Sequence, residues 1–442
     1  MPTELERVLA LIQRHGWNAT AFQTLEPGYR YFFTGDEACV AYIDTGGAWV
    51  AAGQPIAARD QLASVASAFL DAARAAGRRG CFFGSEDPLG ELGTVRIGEQ
   101  PAWDPRAWPE VLRTTKSLRE QLRRARAKGV AIRELTPAEL DAGPTREAMA
   151  RLAERWLATR QMAPMAFLVQ VDLFGHSRHR RCFVAEVEGR LVGFADVIPV
   201  PAREGWFIEH LMRDEDAPNG AGELLVDAVM RWTAEHDAKW VTLGLAPLAG
   251  EVSGPLKIAR AISALLYNFD GVRVYKAKLR PSEWTPIYLA HPPTQSAMVS
   301  VVDALAAFTR GGFVRFGLRT LLRGPTSALR VLAVLLVPWM LLLALAPSAA
   351  WFHAPWVKWA WVACDGLIAA ALFRLVARYG RSLATALAIA TTLDAVLTLA
   401  SAAAWNAPHA RGVLDAFVIL VACFAPIVAA VVLWGARRTR AS

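Results

Sequence analysis

Glu209, His210 and Arg213 put an acid, an imidazole and a fixed cation on one short stretch, and Asn219 and Gly220 follow closely. An imidazole with an ordinary pKa near ~6.5 suits a general base. A guanidinium suits a phosphate or a developing oxyanion. The residues that must position them run from Trp206 to Leu225, WFIEHLMRDEDAPNGAGELL. The apolar opening reads as a strand, Pro218-Asn219-Gly220 as a turn, and a helix starts near Ala221. A helix start offers unpaired N–H groups and partial positive charge, so Asn219 and Gly220 border a seat for a carbonyl or a phosphate. An ordinary charged surface turn has the same composition.

Around this stretch the chain divides by composition. It has 442 residues, 54% of them hydrophobic, with net charge +8. The apolar excess lies in roughly 326–436, whereas 1–295 reads as globular. The positive balance favours an anionic partner such as phospholipid headgroups or RNA. Cys39, Cys81, Cys182, Cys364 and Cys423 are scattered without metal-ligand spacing, which excludes a zinc motif and fits a reducing compartment; no metal is expected. The start, MPTELERVLALIQRHG, reads as an amphipathic helix and not as a signal peptide.

Short strands are expected at 29–33, 39–43 and 49–52, a helix at 60–76 and a strand at 81–83. Residues 111–129 form a basic helix with Lys116, Arg119, Arg123 and Arg126 on one face, Leu118, Leu122 and Ala125 on the next, and Gly129 as its stop. That face is either solvated or a seat for phosphate. A second run follows: helix 144–159, strands 182–187 and 191–199 across the Glu188-Gly189-Arg190 turn, strand 206–212, helix 222–236, strand 240–245, helix 254–269, and a last strand over 272–278. This is the element order of an acyltransferase domain of the GNAT type, though other α+β folds share it. Residues 299–325, with Arg310, Arg315, Arg319 and Arg323 among apolar positions, suit a basic helix at a membrane surface. Apolar runs near 328–349, 355–377, 383–405 and 412–435 are each long enough to span a bilayer. The arginines cluster at the ends that four spans would place on one side, so that side is the cytoplasmic one. Asp365 and Asp394 fall near mid-span, where a carboxyl is either functional or turned to a helix partner.

The segments IGEQ (97–100), KSLREQLRRARAKGV (116–130), EHLMRDEDAPNGAGELLVDAVMRW (209–232), VTLGLAPLAG (241–250) and YKAKLRPSEWTPIYLA (275–290) stand in the same order as in the catalytic domain of lysylphosphatidylglycerol synthetases, and the chain resembles that family over roughly 25–292. The resemblance implies two tandem GNAT-like folds, the first degenerate, and an aminoacyl transfer from aminoacyl-tRNA to phosphatidylglycerol. It covers none of the apolar region, which here follows the catalytic segments. Where the family has an Asp two apolar residues before the Arg, this chain keeps Arg213 but has His210, beside Glu209. An aminoacyl ester is already activated, so the site must supply positioning, a base and oxyanion stabilisation. His210 is the expected base, Arg213 the oxyanion or phosphate contact, and Asn219 with Gly220 the cradle. Lys276, Lys278 and Arg280 add positive charge, and Lys116, Arg119, Arg123 and Arg126 bind tRNA or lipid phosphate.

The expected fold is α+β: tandem GNAT-like acyltransferase domains followed by an all-α four-helix transmembrane domain. The expected division is 1–128, 129–295, a basic interfacial linker at 296–325, and 326–442. The expected function is a membrane-anchored aminoacyltransferase on the cytoplasmic leaflet of the inner membrane. Aminoacyl-tRNA is its co-substrate, anionic phospholipid its partner, and no cofactor is needed. Acyl-CoA is less favoured, because PNGAGE is only partly like an acetyl-CoA loop. The alternatives are a GNAT-like N-acyltransferase using another donor or an amino-lipid acceptor, and a non-catalytic module that binds anionic lipid or a partner.

Overall fold

The computed structural model describes residues 2–160, 165–249, 269–309, 312–313, 315–316, 325–345, 351–377, 380–410 and 412–439. They form two compact units, the first running to Phe313 and the second from Val314.

The first unit is built on one twelve-stranded sheet. Its strands are β1 (Arg30–Thr34), β2 (Ala38–Asp44), β3 (Ala48–Ala52), β4 (Arg79–Ser85), β5 (Gly93–Trp103), β6 (Ala131–Glu134), β7 (Arg181–Val187), β8 (Arg190–Val200), β9 (Gly205–Arg213), β10 (Trp240–Thr242), β11 (Ala246–Pro247) and β12 (Glu283–His291). The order across the sheet is β1-β2-β3-β4-β12-β5-β10-β9-β8-β7-β6, with β11 on β5. Its helices are α1 (Glu4–His15), α2 (Leu62–Ala75), α3 (Trp108–Thr114), α4 (Lys116–Ala127), α5 (Pro137–Asp141), α6 (Pro144–Ala158), α7 (Ala221–Glu235), α8 (Phe269–Lys278) and α9 (Ala297–Phe308).

The two halves repeat one plan. In each, antiparallel strands (β1 to β3 in the first half, β6 to β9 in the second) lead through a helix into a parallel pair, β3 with β4 across α2 and β9 with β10 across α7. The final strand of each half then crosses over. β5 pairs antiparallel with β10 of the second half, and β12 pairs antiparallel with β4 of the first and with β5. This exchange makes one continuous sheet, because each half supplies the strand that covers the other's open edge.

The local chemistry explains the helices nearest the site. Leu118, Leu122 and Ala125 of α4 are buried while its basic positions stay outside. The expected single basic helix is two: the chain breaks at Thr115, and Arg119 donates to the carbonyls of Leu112 and Arg113 at the end of α3. Gly129 stops α4 at φ +78°. A helix occupies 269–278, where a strand was expected. The two alternating valines, Val272 and Val274, are a short period-2 signal, and the buried Lys276 and Leu279 answer to helical packing instead. The true last strand is β12, with Ile287 and Leu289 inward. The helix expected over 254–269 lies mostly outside the described residues.

Among the described residues the second unit holds four long apolar helices, α10 (Pro325–Leu345), α11 (Pro355–Ala377), α12 (Arg381–Ser401) and α13 (Val413–Thr439). Two stretches, Pro355–Val376 and Arg381–His409, are long and apolar enough to cross a membrane by length and composition. Only 28% of each is buried, which is not how the core helix of a soluble protein sits. Leu341, Leu367, Leu393, Val396 and Phe424 face outward. The bundle's own core is small, with Leu329, Ile368, Leu372, Leu387 and Leu433 at its centre. Asp365 is buried within this unit.

Candidate functional site

The site follows from where β9 loses its neighbour. Gly205, Trp206 and Phe207 pair in parallel with Trp240, Val241 and Thr242. β10 ends there, and the chain turns away to put Ala246 and Pro247 on β5. β9 runs on to Arg213, so the two strands diverge beyond Phe207. Glycine makes the departure possible: Gly244 has φ +68°, and a Cβ on it would lie 2.7 Å from the Phe207 ring. Lys276 holds the departing segment. Its buried ammonium donates to the carbonyls of Leu243, Gly244 and Leu245 at 2.8, 2.8 and 2.9 Å. Burial pulls the Lys276 amine down to about 7. Three carbonyl acceptors favour the charged form, since only –NH3+ has three hydrogens to give.

One wall of the divergence is the start of α7. Ala221 N–H donates to the Pro218 carbonyl at 3.1 Å, and Gly220 caps the helix without a side-chain hydrogen bond. Gly220 itself therefore leaves this positive helix end open. Gly220 has φ +97°, and a Cβ there would lie 2.6 Å from the Gln121 carbonyl of α4. Gly220→Ala should accordingly destabilise the first unit by about 2–3 kcal/mol, through left-handed strain and a backbone clash. A thermal melt beside the parent chain checks this, and an unchanged midpoint would mean α7 does not seat on α4 as described.

Arg213 and Asn219 are exposed at this end. The Tyr275 hydroxyl would lie 3.3 Å from a Cβ on Gly222. Burial pushes the Tyr275 pKa up, Glu223 adds to that and Arg213 opposes it, so the phenol keeps its proton at neutral pH. Arg213, the α7 start and a protonated phenol make a cationic, donor-rich edge suited to a phosphate or an oxyanion.

Glu209 and His210 lie elsewhere. The β8–β9 register shifts between Asp196, opposite His210, and Val197, opposite Ile208, so Glu209 is a bulge. The bulge changes which way the strand alternates. Trp206, Ile208 and Leu211 pack on the α7 side, while Met212 joins the core beneath α6 with Phe194 and Cys182. His210 therefore shares the face of Met212, and Arg213 the opposite one. The expectation that acid, imidazole and cation converge at the strand end is corrected on this point: His210 and Arg213, three residues apart on a strand, face opposite ways, and Glu209 sits in the bulge.

What His210 and Glu209 join is a buried ionic cluster. The Arg180 guanidinium donates from one nitrogen to both Asp196 and Glu209, and from Nε to the Gly175 carbonyl at 2.7 Å. His210 Nδ1 stands 3.2 Å from Asp196 and 3.6 Å from Glu209. Burial alone would lower the His210 pKa, but Glu209 and the Asp196 contact outweigh it and raise it. The two carboxylates thus favour the protonated ring, which suits a counter-ion better than a resting base. Asp196, Glu209 and His210 have the spacing of a metal-ligand set, but the guanidinium already meets the charge of both carboxylates.

Glu26 completes the cluster. It is 4% exposed and, among the described residues, no cationic or backbone donor reaches its oxygens, while burial first and Glu209 second push its carboxyl up to about 9. A protonated Glu26 leaves two carboxylates against one guanidinium and one imidazolium, a balanced set. From the ordinary value of 4.5 to about 9, the folded chain holds a proton that the unfolded chain has lost. Glu26 therefore makes stability fall as pH rises through that window. Glu26→Gln should remove this slope, and its advantage over the parent should grow from pH 5 to pH 9 by at most ~1.4 kcal/mol per pH unit. Paired melts across that range check it, and parallel curves would mean Glu26 is ionised.

Other predicted residues have structural partners or stand apart. Arg126 pairs with the buried Asp227 at 2.8 Å, and Asp227 also accepts from Trp108 Nε1 and Arg231. Arg123 pairs with Glu120 at 2.9 Å, and Arg119 caps α3. Lys116, Lys278 and Arg280 are exposed. The segments that suggested a family do meet. Glu99 of IGEQ accepts from Arg96 and Arg273, Trp103 donates to the Leu279 carbonyl, and α4 packs on the start of α7. Arg180, Asp196, Glu26 and Tyr275 were not singled out as functional from sequence. A lone acid in the apolar strand GFADVIPV was the available cue for Asp196.

A family model described as "Phosphatidylglycerol lysyltransferase, C-terminal" matches residues 9–291. A phosphatidylglycerol lysyltransferase of Bacillus subtilis (strain 168) is 25% identical over 315 residues, covering 67% of this chain and 36% of the relative. The lysylphosphatidylglycerol biosynthesis bifunctional protein LysX of Nocardia farcinica is 23% identical over 296 residues, covering 62% of this chain and 26% of the relative. The chain thus spans about a third or less of the length of these curated relatives. Among solved structures, the C-terminal domain of a candidate lysylphosphatidylglycerol synthetase from Agrobacterium fabrum aligns with TM-score 0.60 at 22% identity, over 70% of this chain and 97% of that one. L-PGS from Bacillus licheniformis aligns with TM-score 0.56 at 21% identity, over 69% and 96%. These two share the fold of the first unit.

Proposed function

Because this chain belongs to the family of the phosphatidylglycerol lysyltransferase C-terminal domain, we propose that it transfers an aminoacyl group from aminoacyl-tRNA to a phosphatidylglycerol-like headgroup on the cytoplasmic leaflet. The observation that carries the reading is the divergence of β9 from β10, edged by Arg213, Tyr275 and the uncapped start of α7. These groups can hold the lipid phosphate and the oxyanion while the headgroup hydroxyl attacks the ester carbonyl. A new ester bond forms, the bond to the tRNA ribose breaks, and the hydroxyl proton passes to the ribose oxygen. The ester is activated already, so charge stabilisation and positioning supply most of the catalysis.

Within this reading Glu209 and His210 are positioning residues. With Arg180 and Asp196 they fix the bulge that turns Arg213 toward α7. The exposed Lys116, and Arg119, Arg123 and Arg126 beyond their structural contacts, extend a positive surface for the tRNA or lipid phosphates, with Lys278 and Arg280 adding to it. Helices α10 to α13 form a four-span anchor in the inner membrane, oriented by the flanking arginines. No cofactor is required.

The test is cellular. The full chain is expressed in a host without amino-lipids, and lipid extracts are compared with those of the empty host by mass spectrometry. A phosphatidylglycerol species heavier by one aminoacyl group is expected. An unchanged lipid profile, with folded protein present in the membrane fraction, would overturn the proposal.

A further inference from the structure

Helix α9 lies beyond the family match, which ends at residue 291. The sequence read this region as the opening of a linker, but α9 is part of the first unit. Ser300, Ala304 and Ala307 face inward, and Asp303 takes both nitrogens of an Arg79 fork at 2.7 Å. Phe308 packs edge-on against Phe83 and Phe167, and its carbonyl accepts from Ala166 N–H. The helix is therefore clamped at its middle and at its end.

Its outer face is unlike a soluble surface. Met298, Val302 and Leu305 recur at four and three residues on one stripe, with Val299 beside them, and they are 48%, 45%, 49% and 39% exposed in the order Met298, Val302, Leu305, Val299. Asp303, the helix's one charged residue, points inward. The sequence that follows has no Asp or Glu from Ala304 to Cys364 but carries Arg310, Arg315, Arg319, Arg323 and Arg330 on the way into α10. An apolar stripe followed in the sequence by an acid-free arginine run matches the boundary between anionic headgroups and acyl chains.

We propose that the outer face of α9 seats the first unit on the lipid bilayer. The clamp through Arg79 and Phe308 transmits that seat to the sheet, so the folded unit is held at a set orientation and not merely tethered. The inference rests on the membrane reading given under Proposed function, and the experiment separates the two.

The full chain, with Cys364→Ala and Cys423→Ala, is reconstituted in phosphatidylglycerol vesicles, and an environment-sensitive fluorophore is attached at Val302→Cys, Leu305→Cys, Glu188→Cys or Leu393→Cys. Nitroxide-bearing lipids quench a fluorophore only when lipid reaches it. At least twofold quenching is expected at Val302→Cys and Leu305→Cys with shallow nitroxides, none at Glu188→Cys in the exposed β7–β8 turn, and quenching at Leu393→Cys on α12 with deep ones. Quenching at Leu393→Cys but not at the α9 positions overturns the seat and leaves the membrane reading standing. Quenching at none overturns both. A blue-shifted but unquenched α9 probe means that protein covers the stripe, a second copy or the chain's own helices, and this also overturns the seat.

Discussion

Arg213→Ala should lower aminoacyl-lipid formation by at least ~100-fold while the chain stays folded, the scale set by removing one oxyanion or phosphate contact from a preorganised site. The fold does not depend on this side chain: it is exposed at the last position of β9, and β8 already pairs with the strand there. Its charge is instead felt at Tyr275, whose hydroxyl lies beside the start of α7. Arg213→Lys keeps the charge but loses the planar fork, so partial recovery is expected. Initial rates and thermal melts of the three proteins together check this. A loss under tenfold in Arg213→Ala with an unchanged melt would place the chemistry away from the divergence.

The largest stability effect is expected at Arg180. Arg180→Met leaves Asp196 and Glu209 buried without their guanidinium, and a severed buried ion pair costs roughly 3–5 kcal/mol. The measurement is the thermal midpoint of the purified full chain, which should fall by on the order of 10 °C. The imidazolium of His210 cannot compensate, because its Nδ1 is farther from both carboxylates than Arg180 is. Adding Glu209→Gln to Arg180→Met removes one stranded charge and should recover part of the loss. Absence of any midpoint change in the single variant would mean that the carboxylates take up protons at no cost.

These two effects also show what the sequence discloses. The start of α7 is read correctly because turn residues and a helix onset are local signals, and Pro218, Asn219 and Gly220 supply both. The buried stripe of α4 follows from spacing alone, as do the apolar helices at 325–439. What escapes is set by long-range pairing. Strand alternation by itself sets His210 and Arg213 on opposite faces, whereas one extra residue in β9 decides which of them faces α7, and nothing in EHLMR marks that bulge, since it arises only when β8 is laid alongside. Glu26 meets Arg180 and Asp196 from a distant part of the chain. The exchange of β5 and β12 between the halves is likewise invisible in either strand by itself. Residues 272–278 mislead because two alternating valines imitate a strand on what is a helix.

The central claim is that the Arg213 edge carries an aminoacyl group from tRNA to lipid. Its most direct measurement gives the reconstituted full chain phosphatidylglycerol vesicles and a tRNA pool charged with radiolabelled amino acids, and follows the label into organic extracts. The account predicts label in an alkali-labile lipid, and none after prior ribonuclease treatment. Label that remains on the tRNA in the presence of folded, vesicle-bound protein would contradict it.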